Sequence, residues 1–196
     1  MLSSIYRLSL GAGFAVVLSS ESCAQSALPI DPAIALLKQP GHHAVIRHAL
    51  APGMGDPVGF DLNDCSTQRN LGAQGRRQAV RLGEAFRAAG VVPTRLYASH
   101  WCRTRETAKL MNIGPVQDHA SVNSVWTASQ DTARRKSEEI VDMLSKLDPN
   151  ETVVIVTHSV NISALTGYGT SSGAGQVIRL ENGRVVIAGE FSVDID

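Results

Sequence analysis

Two short apolar runs that each end on a histidine constrain this chain more than any other feature. Ala44-Val45-Ile46 leads into Arg47-His48 before Pro52, Gly53 and Gly55 open a loop, and Thr152-Val153-Val154-Ile155-Val156-Thr157 leads into His158. Runs that are apolar at successive positions suit strands covered on both faces, as in a mostly parallel sheet with helices above and below. In open sheets of that kind ligand crevices form at the carboxyl ends of the strands. Two such strands in one sheet would bring two imidazoles and a guanidinium to the same edge.

The segments between these runs alternate in the same sense. Asp31-Pro32 reads as a helix start, with Ala33 to Lys38 as a short helix ended by Pro40-Gly41. The first strand, His43 to Arg47, is followed by a loop from Ala49 to Asn70 rich in Gly, Pro, Asp and Asn. Loops of that length inside a compact domain are usually functional, and this one leaves directly from Arg47-His48, so it is expected to wall or cover a site. Ala73 to Ala89 predicts a helix with Ala79, Val80, Leu82, Ala85, Phe86 and Ala89 on its apolar stripe, stopped by Gly90. A strand at Leu96 to Ala98, a helix from about His100 to Met111 capped by Ser99, a small strand at Val116 and a helix over Asp131 to Leu147 follow. Beyond the second histidine come a short helix near Asn161 to Leu165 and a hairpin, Gln176 to Leu180 with Arg184 to Ala188, turned at Asn182-Gly183. The pattern predicts a three-layer α/β/α sandwich with a mostly parallel, mixed sheet.

The first residues predict an export signal. Arg7 is the only charge before Glu21, and the apolar run Leu8 to Leu18 is shorter than the roughly 20 residues a membrane span requires. Ser22-Cys23-Ala24 fits a small-x-small cleavage site, which gives a signal peptide over residues 1–24 and a single domain over 25–196; an uncleaved helix is the competing reading. A periplasmic or secreted protein with no stable membrane span after signal removal is expected. Cleavage leaves Cys65 and Cys102, and an oxidising compartment permits but does not require that they pair. The 18 basic and 18 acidic side chains balance, which argues against a nucleic-acid partner while leaving room for one small phosphate.

Four stretches now fall into order: Arg47-His48-Ala49; Leu71-Gly72-Ala73-Gln74-Gly75-Arg76-Arg77-Gln78-Ala79; Ser99-His100-Trp101-Cys102-Arg103-Thr104-Arg105-Glu106-Thr107-Ala108; and Thr157-His158. Together they resemble the signatures of the histidine phosphatase superfamily, with its phosphoglycerate mutase-like fold, over nearly the whole chain after the leader. The resemblance implies a phosphoric monoester hydrolase that works through a phosphohistidine, with His48 as nucleophile and Arg47, Arg103 and His158 completing the phosphate pocket. The residue types suit that chemistry on their own terms. Guanidinium stays charged and meets two phosphate oxygens with a planar fork, and a neutral imidazole nitrogen can attack phosphorus and leave again. Arg69, just ahead of the second stretch, could reach back over the site.

The rival metal reading is disfavoured. His42 and His43 are strand neighbours that point to opposite faces, and no Asp or Glu has metal-ligand spacing with them; the expectation is no metal and no cofactor. Two departures from the family pattern stand out. Ala49 takes the place of its usual glycine. The late histidine is followed by Ser159-Val160-Asn161 rather than an acid, which leaves Asp131, Asp118 or no residue as proton donor. The expected function is hydrolysis of a small phosphorylated compound, such as a sugar phosphate of the cell envelope. The alternative is a catalytically impaired phosphate-binding or sensing module of the same fold.

Overall fold

The structure is a computed structural model that describes residues 31–193. The expected leader and its cleavage site lie outside the described residues. The strands are β1 (His42–Arg47), β2 (Arg95–Ala98), β3 (Val116–Asp118), β4 (Val153–Thr157), β5 (Gly175–Glu181) and β6 (Arg184–Phe191). The helices are α1 (Pro32–Ala35), α2 (Ala73–Ala88), α3 (Cys102–Met111), α4 (Gln130–Ser145) and α5 (Ser159–Thr166).

One six-stranded sheet runs in the order β3-β2-β4-β1-β5-β6. Its first four members are parallel and the closing hairpin is antiparallel. The period-two alternation of strand side chains sorts the apolar residues into two cores. Ala44, Ile46, Val154 and Val156 face Leu82 and Phe86 of α2 and Met111 of α3, whereas Val45, Val153 and Ile155 face Ile140 and Leu144 of α4 and Ile162 of α5. This is the three-layer α/β/α sandwich that the sequence predicts.

Register places the site. β1 and β4 are parallel neighbours with Arg47 opposite Thr157, and the His48 amide continues the ladder by donating to Thr157 O at 2.9 Å. His48 and His158 therefore leave the sheet side by side. Because β5 runs back along β1 with Gly175 opposite Ile46, the 167–174 connection returns to that same edge. Gly75, near the start of α2, faces the Leu50 backbone so closely that a Cβ there would collide with the Leu50 carbonyl. Only glycine lets α2 seat against the loop that leaves His48.

Three local expectations change. α3 begins at Cys102, and Ser99 does not cap it, because its hydroxyl is engaged by His158 and Thr104. Val80 is exposed, and the buried place on α2 goes to Gln78, which accepts from Leu50 N and donates to Ser172 O. α4 covers Gln130–Ser145 in place of Asp131 to Leu147, and Ser129 caps it by accepting from Thr132 N.

Candidate active site

His48 and His158 stand edge to face at the carboxyl end of the sheet, ring centroids 5.6 Å apart, and both are buried. The Nδ1 of His48 lies 2.8 Å from the carbonyl of its neighbour Ala49. A carbonyl only accepts, so Nδ1 carries the proton and Nε2 keeps its lone pair. Burial pushes the His48 pKa down; the Ala49 hydrogen bond opposes this, while Arg103, Arg47 and Arg69 reinforce it, and the result is about 3. The ring is thus neutral, as a nucleophile must be. The Ala49 amide is fixed in turn by Thr107 Oγ1, which passes its own proton to Arg103 O and so ties the start of the loop to α3. Ala49 itself is fully buried against Ala51, Leu71 and Ala79. Its φ is not positive, so the methyl group that replaces the family's glycine costs no backbone strain here.

His158 is held from behind by Ser99 Oγ at 2.8 Å from Nε2 and flanked by the Trp101 ring at 5.2 Å, edge to face. Burial lowers its pKa well below the ordinary value, with His48 and the three arginines adding to the effect.

Arg47, Arg69 and Arg103 gather around this pair. Arg47 donates from Nη1 to Thr170 O at 3.1 Å, on the 167–174 connection, and its buried Nε has no hydrogen-bond partner among the described residues. Arg103, on the first turn of α3, is buried and forms an ion pair with Asp56 at 2.8 Å, while its Nε also lacks a partner. A buried N–H without an acceptor is costly, and two of them on neighbouring guanidinium groups suit an anionic ligand. Arg69 is spent mainly on its own loop, donating from Nε to Gly55 O at 2.8 Å and from Nη1 to Ala51 O at 2.6 Å. It still contributes positive potential at His48 and His158.

The loop after β1 forms one wall, as expected. Phe60 packs on Trp101 with ring centroids 6.0 Å apart. A Cys65–Cys102 disulfide fastens the loop to α3 one residue before Arg103; beside it, Cys102 N donates to Gln68 Oε1 at 2.9 Å. The sequence left this pairing open.

Other candidates make no hydrogen bond or ion pair with the two histidines among the described residues. Asp131 lies at the start of α4 with its side chain 85% exposed and 3.5 Å from Arg134. Asp118 is paired with Arg105, which holds its pKa below the usual carboxylate range. His42 and His43 sit at the amino end of β1, six and five residues before His48 and at the opposite end of the strand from it. Burial, together with His42, lowers the His43 pKa to about 4 against an opposing pull from Glu151. Among the described residues no group of three or more His, Cys, Asp or Glu side chains comes together to hold a metal ion. Asp56 is the residue that sequence reasoning missed. Its one signal is an acid flanked by Gly55 and Pro57 in a loop that leaves a cationic strand end.

No protein-family model and no curated protein matches the sequence. Solved structures resemble the fold. The product of an open reading frame of Mycobacterium tuberculosis aligns with a TM-score of 0.61 at 16% identity, over 76% of this chain and 95% of that one. A phosphoserine phosphatase variant from Entamoeba histolytica, in complex with phosphoserine, aligns at 0.58 and 12% identity over 76% and 95%. A mycobacterial glucosyl-3-phosphoglycerate phosphatase complexed with VO3 aligns at 0.57 and 16% identity over 74% and 96%. At such identities the likeness concerns architecture, and that architecture is the phosphoglycerate mutase-like fold of histidine phosphatases.

Proposed function

We propose that this chain is an exported phosphatase that hydrolyses a small phosphate monoester through a phosphohistidine on His48, without a metal. The observation that carries the reading is a neutral imidazole with one ring nitrogen protonated against Ala49 O, set among guanidinium groups of which two keep a buried N–H without an acceptor among the described residues. In the first step His48 Nε2 forms a bond to phosphorus as the bond from phosphorus to the leaving oxygen breaks, and the leaving group departs with a proton from solvent. In the second, water attacks the phosphohistidine, orthophosphate leaves and the imidazole is restored. Phosphoryl oxygens stay charged throughout, so catalysis rests on placement and charge stabilisation by Arg47, Arg103 and His158.

The similar folds of a phosphoserine phosphatase and a glucosyl-3-phosphoglycerate phosphatase support a monoester as substrate. An exported location rests on the leader-like first residues and agrees with the disulfide, which an oxidising compartment preserves. An envelope sugar phosphate suits that place. The test is acid-labile, base-stable labelling of the protein during turnover of a radioactive phosphate donor. Label in the parent and none in His48→Ala is expected. Turnover of an aryl phosphate retained by His48→Ala would remove His48 from the nucleophile's role, and phosphate binding without any turnover by the parent would leave a binding module.

A further inference from the structure

Asp56 belongs to none of the roles assigned so far, although it lies deeper in the site than any other carboxylate described. Its oxygens collect four donors. Oδ1 accepts from Arg103 Nη1 at 2.8 Å and from Arg69 N at 3.0 Å, and Oδ2 accepts from Arg103 Nη2 at 3.2 Å and from Trp101 Nε1 at 3.0 Å. The side chain is 9% exposed and its Arg103 partner 4%. Burial alone would raise its pKa, but these donors outweigh burial and hold it below the usual carboxylate range. A carboxylate that stays ionised and engaged in this way is a poor proton donor to a leaving group.

The hydrogens of Arg103 divide between the two sides of its fork. A guanidinium carries five N–H groups. The two on Nη1 go to Asp56 Oδ1 and to Arg69 O at 3.3 Å, and one on Nη2 goes to Asp56 Oδ2. The remaining two, Nε–H and the second Nη2–H, lie parallel along one side of the plane, and Nε has no partner among the described residues. Asp56 therefore occupies the end of the fork and leaves its side edge, which can hold two oxygens of a tetrahedral anion. The same carboxylate pins the indole of Trp101, whose ring flanks His158.

On the reading of the site as a phosphate pocket, we propose that Asp56 is a positioning residue: it orients Arg103 so that the Nε/Nη2 edge, and not the Nη1/Nη2 end, is presented to the substrate phosphoryl group, and it locks Trp101 beside His158 in the same contact. This role differs in sign from that of a masking anion. If Asp56 merely occupied the phosphate place, its removal would add net positive charge and tighten anion binding; as a positioning residue, its loss weakens binding despite the added charge.

The experiment compares vanadate and orthophosphate affinity, by calorimetry and by competition against an aryl phosphate, in the parent, Asp56→Asn and Trp101→Phe. Asp56→Asn keeps the shape but sets an amide N–H against a donor of Arg103 or Trp101. Its vanadate affinity is expected to fall about tenfold or more, with kcat/KM for aryl and alkyl phosphates falling alike and the acidic limb of the pH profile unmoved. Trp101→Phe removes one of the four donors and keeps an aromatic ring, so a loss of a few fold is expected, and this milder variant decides the question if Asp56→Asn does not fold. Unchanged or tighter vanadate binding in a folded Asp56→Asn, or in Trp101→Phe when Asp56→Asn does not fold, overturns the proposal. So does a loss confined to alkyl phosphates, which would make Asp56 a proton donor. A parent protein that binds neither anion sinks the phosphate reading itself and the proposal with it, whereas a parent that binds both and variants that bind equally well sink the proposal alone.

Discussion

Ser99 Oγ lies 2.8 Å from His158 Nε2 and 2.8 Å from Thr104 Oγ1, and the protons of that chain fix the imidazole. Thr104 has a single hydroxyl proton, and its oxygen lies 2.7 Å from Trp101 O and 2.9 Å from Ser99 O, both of which can only accept. Thr104 therefore spends its proton on a carbonyl and accepts from Ser99. Ser99 has then spent its own proton, so it accepts from His158, which carries its hydrogen on Nε2. A histidine in this state offers Nδ1 as an acceptor, and it becomes a second donor only by taking up a proton when an anion arrives.

Ser99→Ala tests that chain. The His158 N–H would lose its buried acceptor, which costs on the order of 1–3 kcal/mol, and the ring would lose its fixed orientation. Urea denaturation should show a loss of that size, and aryl phosphate kcat/KM should fall by about tenfold or more. A variant with parent stability and parent turnover would show that Ser99 does not hold His158.

Acid should unfold the protein earlier than carboxylates alone would dictate. His43 and His48 have pKa values of about 4 and about 3 in the folded state, and His158 is displaced in the same direction, against roughly 6.5 when unfolded. Below that reference the unfolded chain binds protons that the folded chain does not. The stabilisation is fully present above the unfolded value and falls by about 1.4 kcal/mol per pH unit for each such histidine as pH drops toward the folded value. Denaturant midpoints measured from neutral to mildly acidic pH should fall steadily. The acidic limb of kcat/KM, which reports protonation of His48, should appear well below its ordinary pKa. A flat midpoint over that interval would mean that these rings are not buried neutral.

The disulfide makes a third prediction. Cys65 and Cys102 are 37 residues apart in sequence, and closing a loop of that length restricts the unfolded chain by about 4 kcal/mol in the chain-entropy account. The Cys65→Ser, Cys102→Ser double variant should lose stability of that order and, because the bond fastens the loop one residue before Arg103, bind vanadate more weakly. Equal vanadate affinity in the folded double variant would confine the bond to a role in stability.

The sheet, its order of helices and the two histidines were legible because burial on both faces writes itself into Val153 to Val156 and Ala44 to Ile46 as continuous apolar runs. The closing hairpin was legible from Asn182-Gly183, which adopts positive φ at both turn positions. The Asp56 contact was not legible, since it depends on where a loop without periodicity folds back across α3, and neither spacing nor composition encodes that path. Ser99 misled for a related reason. A serine ahead of a helix has the same local pattern whether its hydroxyl caps the backbone or, as here, meets a histidine 59 residues away. Gln78 was missed as a buried residue because periodicity ranks side chains by apolarity and cannot foresee that its amide bridges Leu50 and Ser172.

Asp131→Asn bears on the proton donor. The side chain is largely solvent-exposed, sits in the first turn of α4 and pairs with Arg134, and among the described residues nothing ties it to His48 in this arrangement. The substitution removes one negative charge from a helix N-terminus, worth about 0.3–1 kcal/mol, while the Ser129 cap persists. Turnover of aryl and of alkyl phosphates should therefore each remain within about twofold of the parent. Arg103→Ala provides the contrast, since it takes a charged fork from ground and transition states together and should depress vanadate binding and turnover of both substrate classes. If Asp131→Asn instead slows alkyl phosphates far more than aryl phosphates, the segment between Val122 and α4 must carry Asp131 onto the site during turnover. A carboxylic acid would then protonate the poor leaving group. If both classes are unaffected, the leaving group takes its proton from solvent, and good leaving groups should be turned over markedly faster than alkyl ones by the parent protein itself.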